Sequence, residues 1–143
     1  MPHIPFDHIN YWAVLVAGIA TFFLGAVWYM ALFGKLWCRL SGFSPEKQKE
    51  MQTAGPPHVF FGTMIGSYLV LSWVVAVLAA WIGVSTAMAG SALGFFLWLG
   101  PALCIGLTSY IANDRKFGVY VIDLAYQLVF LVMTGAIVGG WHR

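Results

Sequence analysis

Four long apolar stretches divide the chain, and short polar segments separate them. Each stretch has about 20 residues and is apolar on all faces, which is typical of helices that cross a bilayer. The pattern predicts membrane-spanning helices over residues 11–33, 60–82, 90–110 and 119–141. Residues 34–59 form the one long polar connection. The predicted fold is all-α: a single domain, residues 1–143, in which four transmembrane helices form two antiparallel helical hairpins.

The composition supports a lipid-facing surface. Of the 143 residues, 61% are hydrophobic and only 8% are charged, and the mean hydropathy is +0.83. Soluble domains carry about 25% charged residues, so this chain has too few to cover a solvated surface. The net charge of +2 is small and the basic residues lie in connections, which argues against a nucleic-acid partner. The lipid bilayer is the predicted partner.

The basic residues predict an orientation. Six of the seven Lys and Arg follow the first and third spans: Lys35, Arg39, Lys47, Lys49, Arg115 and Lys116. The opposite side has only Arg143. By the positive-inside rule, the connections after spans one and three are cytoplasmic and both termini lie outside. Residues 83–89 form a short uncharged connection, so spans two and three are predicted to be antiparallel neighbours.

Two local signals predict features of individual helices. Ser44 suits a helix N-cap and Pro45 the first helical position, so a short interfacial helix is expected from there to about residue 52. Pro101 lies inside span three. Its ring removes one backbone hydrogen bond and crowds the carbonyl of Leu97, which predicts a kink.

Asp123 is the only acidic residue inside a predicted span. A carboxylate at the centre of a membrane costs about 2.5–3.5 kcal/mol on insertion scales and marks a functional site by default. Asp123 lies about one turn from the cytoplasmic end, however, so a second interpretation remains open. It is that the carboxylate turns toward water or pairs with Arg115, Lys116 or Arg39.

Polar and aromatic residues of all four spans fall at the depth of Asp123, in the predicted cytoplasmic half. This candidate polar layer consists of Trp28, Tyr29, Ser67, Thr108, Asp123, Tyr126 and Gln127. Cys104 and Thr108 are spaced i,i+4 on span three, opposite Asp123 and Gln127 with the same spacing on span four. One interpretation is hydrogen bonding between helices, worth about 0.6 kcal/mol per bond. The other is a site for a small ligand or a proton.

Three GxxxG pairs predict close helix contacts. They are Gly62 with Gly66, Gly90 with Gly94, and Gly135 with Gly139. Small residues allow two membrane helices to approach closely, although they do not specify the partner. Three such pairs exceed what one small bundle needs, so a homodimer or a membrane partner subunit is expected.

Metal and thiol chemistry find little support. The candidates for a metal site are His3, Asp7, His8 and His142, whose spacing matches no zinc pattern, so no metal or cofactor is predicted. Cys38 at the predicted cytoplasmic edge and Cys104, buried in a helix, are predicted to be free thiols. The chain has no catalytic triad, HExxH, P-loop or CxxC motif, and we predict that it is not an enzyme.

Several segments carry a family resemblance. They are LGAVWYMALFGKLW in span one and just beyond it, LGFFLWLGPAL in span three, DRKFGVYVIDLAYQLV and the closing GAIVGGW. This pattern resembles a family of small four-span bacterial membrane proteins known only as a domain of unknown function. The resemblance covers nearly the whole chain and implies a four-span fold without an established activity. The family's aromatic pair corresponds to Trp28 and Tyr29, and its tyrosine–polar pair to Tyr126 and Gln127.

The leading functional prediction is a structural or interaction protein of the bacterial inner membrane, either an accessory subunit or an oligomer-forming protein. The alternative is a binder or transporter of a small molecule or lipid. Such a protein would use the polar layer in the cytoplasmic half of the bundle.

Overall fold

The computed structural model describes residues 3–141, apart from the side chain of Gln52. All regular structure in this range is helical. In chain order the α-helices are α1 (Tyr11–Ala26), α2 (Gly34–Ser41), α3 (Pro45–Thr53), α4 (Pro57–Ile82), α5 (Ala87–Leu97), α6 (Leu103–Ala112) and α7 (Phe117–Gly140). A short 3₁₀ turn, Phe6–His8, precedes α1.

Four helical segments are long and apolar enough to cross a membrane, which confirms the prediction of four long apolar helices. Span one is Tyr11–Leu32, span two Pro57–Ile82, span three Ala87–Ala112 and span four Phe117–Gly140. Spans two and three begin three residues earlier than the hydropathy pattern predicted. The reason is that a helix continues through polar or small residues as long as its backbone hydrogen bonds are satisfied.

Local sequence explains where the helices begin and end. Asn10 caps α1, since its side-chain oxygen accepts hydrogen bonds from the N–H groups of Trp12 (3.1 Å) and Ala13 (3.3 Å). Ser44 caps α3 in the same way, with Lys47 as the donor at 3.2 Å, which confirms the predicted helix start. Helix α2 was not predicted, because the part of the connection before Ser44 carries no cap or apolar run that marks a helix.

Spans one and three each contain a π-helical segment. In span one it is Val27–Leu32, and the N–H of Phe33 donates to the carbonyl of Trp28 five residues back (2.8 Å). In span three it is Trp98–Ala102, which contains Pro101, so the interruption predicted there takes the form of a wider turn. A π turn holds one more residue than an α turn, and it shifts the faces of all residues that follow.

Span four is the centre of the bundle. It contacts all three other spans. In the most apolar stretch of span four 44% of the residues are buried, whereas the corresponding share in span three is 11%. Spans one and two also pack on each other, whereas span three packs mainly on span four. Spans two and three, predicted to be antiparallel neighbours, are therefore not a main packing pair of the bundle. Their connection is short, but the helices make few contacts with each other.

Glycines allow α5 to approach α7 closely. A Cβ added at Gly90 would overlap the backbone carbonyl of Gly135, and one added at Gly94 would overlap the carbonyl of Leu131. Gly139 in turn lies against the backbone of Thr86 and Gly90. Two of the three GxxxG pairs thus face each other inside one chain. A homodimer was predicted because three pairs were counted as more than one bundle needs, and these two pairs no longer support that argument.

The third pair is different, because an added Cβ at Gly62 or Gly66 meets nothing within 4 Å. On span one, the small residues Ala17 and Thr21 are fully buried, and Thr21 Oγ1 lies 3.4 Å from Thr134 Oγ1 of span four. The small face of span one therefore also makes contacts within the chain.

The connections after spans one and three lie at the same end of the bundle. Leu40 of α2 packs against Gly118 at the start of α7. The segments 33–56 and 113–116 carry every Lys and Arg among residues 3–141. We call this end of the molecule the basic end.

Candidate functional site

Asp123 connects four parts of the structure at the basic end. Its Oδ1 accepts hydrogen bonds from Tyr29 Oη of span one (2.6 Å) and from Trp37 Nε1 of α2 (3.1 Å). Its Oδ2 lies 3.8 Å from Arg115 Nη1 in the turn before α7. The side chain is 26% exposed, and this ion pair confirms the interpretation that Asp123 pairs with a basic residue. Two donors and one cation together offset the cost of holding a carboxylate at this depth.

A second hydrogen-bonded group lies beside the first. Tyr126 Oη donates to the backbone carbonyl of Thr21 (3.0 Å) and lies 3.1 Å from Tyr68 Oη. Because a hydroxyl has one proton, Tyr68 is the donor to Tyr126 in this arrangement. The Tyr29 and Tyr126 rings meet edge to face at 5.3 Å, which joins the two groups. We call Tyr29, Tyr68, Asp123 and Tyr126 the Tyr–Asp cluster.

The structure brings together only part of the predicted polar layer. Tyr29, Asp123 and Tyr126 meet in the cluster, and the Trp28 ring packs against Tyr126 at 6.0 Å. In the part of the chain that is described, Trp28 Nε1 is buried and has no hydrogen-bond partner. Gln127 projects toward span three, where its buried Oε1 likewise lacks a partner within residues 3–141.

Ser67 and Thr108 do not join the cluster. Both are exposed on the bundle surface, and the Thr108 hydroxyl donates to the carbonyl of Ile105 in its own helix (2.9 Å). Span three instead contributes Trp98, whose Nε1 donates to the carbonyl of Leu124 (2.9 Å). The π turn at Pro101 lies between Trp98 and Thr108, so a single α-helical face does not describe span three.

Sequence reasoning missed two residues of this site. Tyr68 of span two and Trp37 of α2 were not among the predicted residues of the polar layer. Trp37 reaches Asp123 because α2 continues from span one as a second helix, and Gly34 makes this possible. A Cβ at Gly34 would overlap the carbonyl of Tyr29. Gly34 itself was the available signal, because a glycine at the end of an apolar run suits a close backbone approach.

An apolar groove runs between spans one and two and ends at the Tyr–Asp cluster. Its volume is about 340 Å³, and Phe22, Ala26, Met30, Phe61 and Met64 supply apolar walls. Tyr29 and Tyr68 of the cluster also line it. We call this space the apolar groove.

A second space continues from the groove toward the basic end. It has a volume of about 400 Å³ and shares Tyr29, Met30 and Gln48 with the groove. Lys35, Glu46 and Lys49 line its outer part. We call this space the basic vestibule. A smaller polar cavity of about 110 Å³ lies on the other side of Asp123, between spans three and four.

The structure offers no metal centre in residues 3–141, since no three His, Cys, Asp or Glu side chains are grouped there. His3, Asp7 and His8 are exposed, and His142 lies outside the described residues. Cys38 and Cys104 are free, as predicted. The expectation that Cys104 is buried is wrong: it lies on the exposed face of span three, which packs on the bundle by one side only.

The four apolar spans define the class of this protein as a small helical protein with the composition of a multi-pass membrane protein. The family described as "Protein of unknown function (DUF1761)" matches residues 12–139, and the chain belongs to this family. The expected membership of a family of unknown function is thereby confirmed. No curated protein and no solved structure matches the chain.

Proposed function

We propose that this protein binds a small amphipathic molecule in the apolar groove, with the Tyr–Asp cluster at the inner side of the site. The observation that carries the proposal is the groove itself, about 340 Å³ in volume and mostly apolar, with two tyrosine side chains on one side. Ligand sites have volumes of about 300–1,000 Å³ and combine apolar walls with a few polar groups. Of the polar layer in the binder or transporter alternative, the site keeps Tyr29, Asp123 and Tyr126, whereas Ser67, Thr108 and Gln127 lie elsewhere.

The proposal includes a topology in the bacterial inner membrane. The four spans form two antiparallel hairpins, the basic end is cytoplasmic, and both termini lie outside. Contacts between spans three and four support an antiparallel pair, because residue numbers rise along one helix as they fall along the other: Gly90 faces Gly135, Gly94 faces Leu131 and Gly106 faces Tyr120. The six basic side chains at one end support the sidedness.

Contacts at the other end of the bundle fit the same topology. Asn10 before α1 donates a hydrogen bond from its Nδ2 to the backbone carbonyl of Trp141 after α7 (3.2 Å). The described ends of the chain thus lie together, away from the Lys and Arg side chains.

The cluster has features that hydrogen bonding between helices does not need. Tyr126 lies on span four, and its hydroxyl is hydrogen-bonded both to Thr21 of span one and to Tyr68 of span two. Its side chain is almost fully buried. Tyr29 and Tyr68, by contrast, line a space that no other side chain of residues 3–141 fills. We infer that Tyr126 holds the helices together, whereas Tyr29 and Tyr68 face the ligand.

Filling the groove tests the proposal. In Ala26→Phe, the larger ring occupies the groove, and we expect the loss of a small molecule that stays bound to the wild-type protein after mild extraction. Ala31→Phe is the matched control, because Ala31 is exposed, lies on the same span and does not line the groove. Native mass spectrometry gives the bound mass. A wild-type protein without any bound molecule, or equal retention by both variants, would exclude binding in the groove.

Self-association is a second candidate function. It corresponds to the prediction of a structural or interaction protein that forms oligomers. The observation that favours it is the free face of Gly62 and Gly66, the one GxxxG pair without a neighbour among the described residues. The proposed assembly is a homodimer in which this face of span two contacts a second copy. Such a dimer would need no rearrangement of the bundle.

Oligomeric state in mild detergent tests the second candidate. We expect Gly62→Leu to convert dimers to monomers, because leucine prevents close helix approach. Ser67→Leu, on another exposed face of the same span, should leave the dimer intact. A monomeric wild-type protein, or a dimer that persists in Gly62→Leu, would contradict this interface.

A further inference from the structure

We propose that the basic vestibule binds the headgroup of an anionic phospholipid, one acyl chain of which occupies the apolar groove. This inference rests on the proposed function and specifies its ligand. It assigns the polar part of the ligand to α2 and α3, and the apolar part to spans one and two.

The continuity of the two spaces supports an amphipathic occupant. Tyr29, Met30 and Gln48 line both the groove and the vestibule, so one molecule can extend from one into the other. The groove side is bounded by Phe22, Phe61 and Met64, and the vestibule side by lysine and glutamate. The apolar groove and the charged vestibule therefore follow one another in the site as the acyl chain and the headgroup do in a phospholipid.

The charge of the vestibule selects the headgroup. Lys35 of α2 and Lys49 of α3 line the vestibule together with the single acid Glu46. Each basic side chain near an anionic lipid surface contributes about a fivefold preference. A phosphodiester without a compensating amine gains this attraction, whereas a zwitterionic headgroup gains much less of it.

The beginning of α3 adds to this field. Pro45 and Glu46, the first two residues of this nine-residue helix, line the vestibule. Helix N-termini carry a partial positive charge and favour anions, although α3 offers few free N–H groups, because Pro45 has none and the Lys47 N–H is bound to Ser44 Oγ. Cys38 donates to Gln48 Oε1 across the vestibule wall (2.8 Å), which fixes α3 against α2. Lys35 of α2 and Lys49 of α3 thus line the same space.

Lipid binding by the purified protein tests the proposal. Dioleoyl phosphatidylglycerol and dioleoyl phosphatidylcholine have the same chains and differ in headgroup charge. We expect native mass spectrometry titrations to give an apparent Kd at least about fivefold lower for the anionic lipid. The double variant Lys35→Glu/Lys49→Glu should abolish this preference. The control Lys47→Glu/Lys116→Glu makes the same charge change at lysines that do not line the vestibule, and should retain it.

The Ala26→Phe variant separates failure of this inference from failure of the proposed function. Equal binding of both lipids, with both lost in Ala26→Phe, would leave the groove as a ligand site and overturn the anionic headgroup. A preference that survives in Lys35→Glu/Lys49→Glu, or disappears equally in the control, would overturn the vestibule as its origin. If Ala26→Phe changes the binding of neither lipid, the groove itself is not the site, and both proposals fail.

Discussion

Gly94→Leu is expected to lower the free energy of unfolding by about 3 kcal/mol. An added Cβ at this position overlaps the backbone carbonyl of Leu131, and backbone atoms of a packed helix cannot turn away as a flexible side chain can. The substitution must separate α5 from α7, the most extensive helix contact in the molecule. Leucine is a better helix former than glycine by up to about 1 kcal/mol, so the measured loss understates the cost of the overlap.

Ala92→Leu is the matched control for this prediction. Ala92 lies on the same helix two residues earlier and is exposed, so its enlargement should change stability by less than about 0.5 kcal/mol. Reversible unfolding in mixed micelles gives both values. Equal stability of the two variants would show that α5 and α7 are not in backbone contact at Gly94.

Asp123→Leu is expected to cost about 3 kcal/mol, the second large effect. Leucine cannot accept the hydrogen bonds of Tyr29 and Trp37 and leaves both donors without an acceptor. Each partly buried donor left unpaired costs about 1–3 kcal/mol. Arg115 also loses its carboxylate, but it is 55% exposed and remains hydrated, so its share is small.

Asp123→Asn separates charge from hydrogen bonding. The amide oxygen can still accept from Tyr29 or Trp37, so we expect a loss of about 1 kcal/mol. Asp114→Asn is the control, because Asp114 is exposed in the adjacent turn and its positive φ of 49° suits asparagine. The same unfolding assay applies. If Asp123→Leu is as stable as Asp114→Asn, the carboxylate does not hold the cluster together.

Hydropathy alone was enough to predict the four spans, because a bilayer demands long helices without polar interruptions. Local signals such as Ser44 followed by Pro45 were equally informative, since a cap depends only on its immediate neighbours. Asp123 was singled out for the same kind of reason: a carboxylate inside an apolar run needs a partner, and the turn just before span four supplies two cations, Arg115 and Lys116, of which Arg115 pairs with it.

The partners across helices were harder to predict. Thr108 was placed opposite Asp123 on the assumption of uninterrupted α-helices, and the π segments in spans one and three change the register on which that assumption depends. Tyr68 could not be paired with Tyr126, since hydropathy does not tell which faces of two spans meet. The glycine pairs indicated close approach, but whether the partner was another span or another chain required the three-dimensional packing.

The central position of span four has a consequence for biosynthesis. Chains emerge from the ribosome from their N-terminus, so the first three spans are made before the helix against which they pack. Spans one and two can pair at once, whereas span three must wait in the lipid with the Gly90–Gly94 face uncovered. During that interval this face is open to any other small-residue helix nearby. Prompt release and insertion of Phe117–Gly140 therefore protect the nascent protein from mispairing.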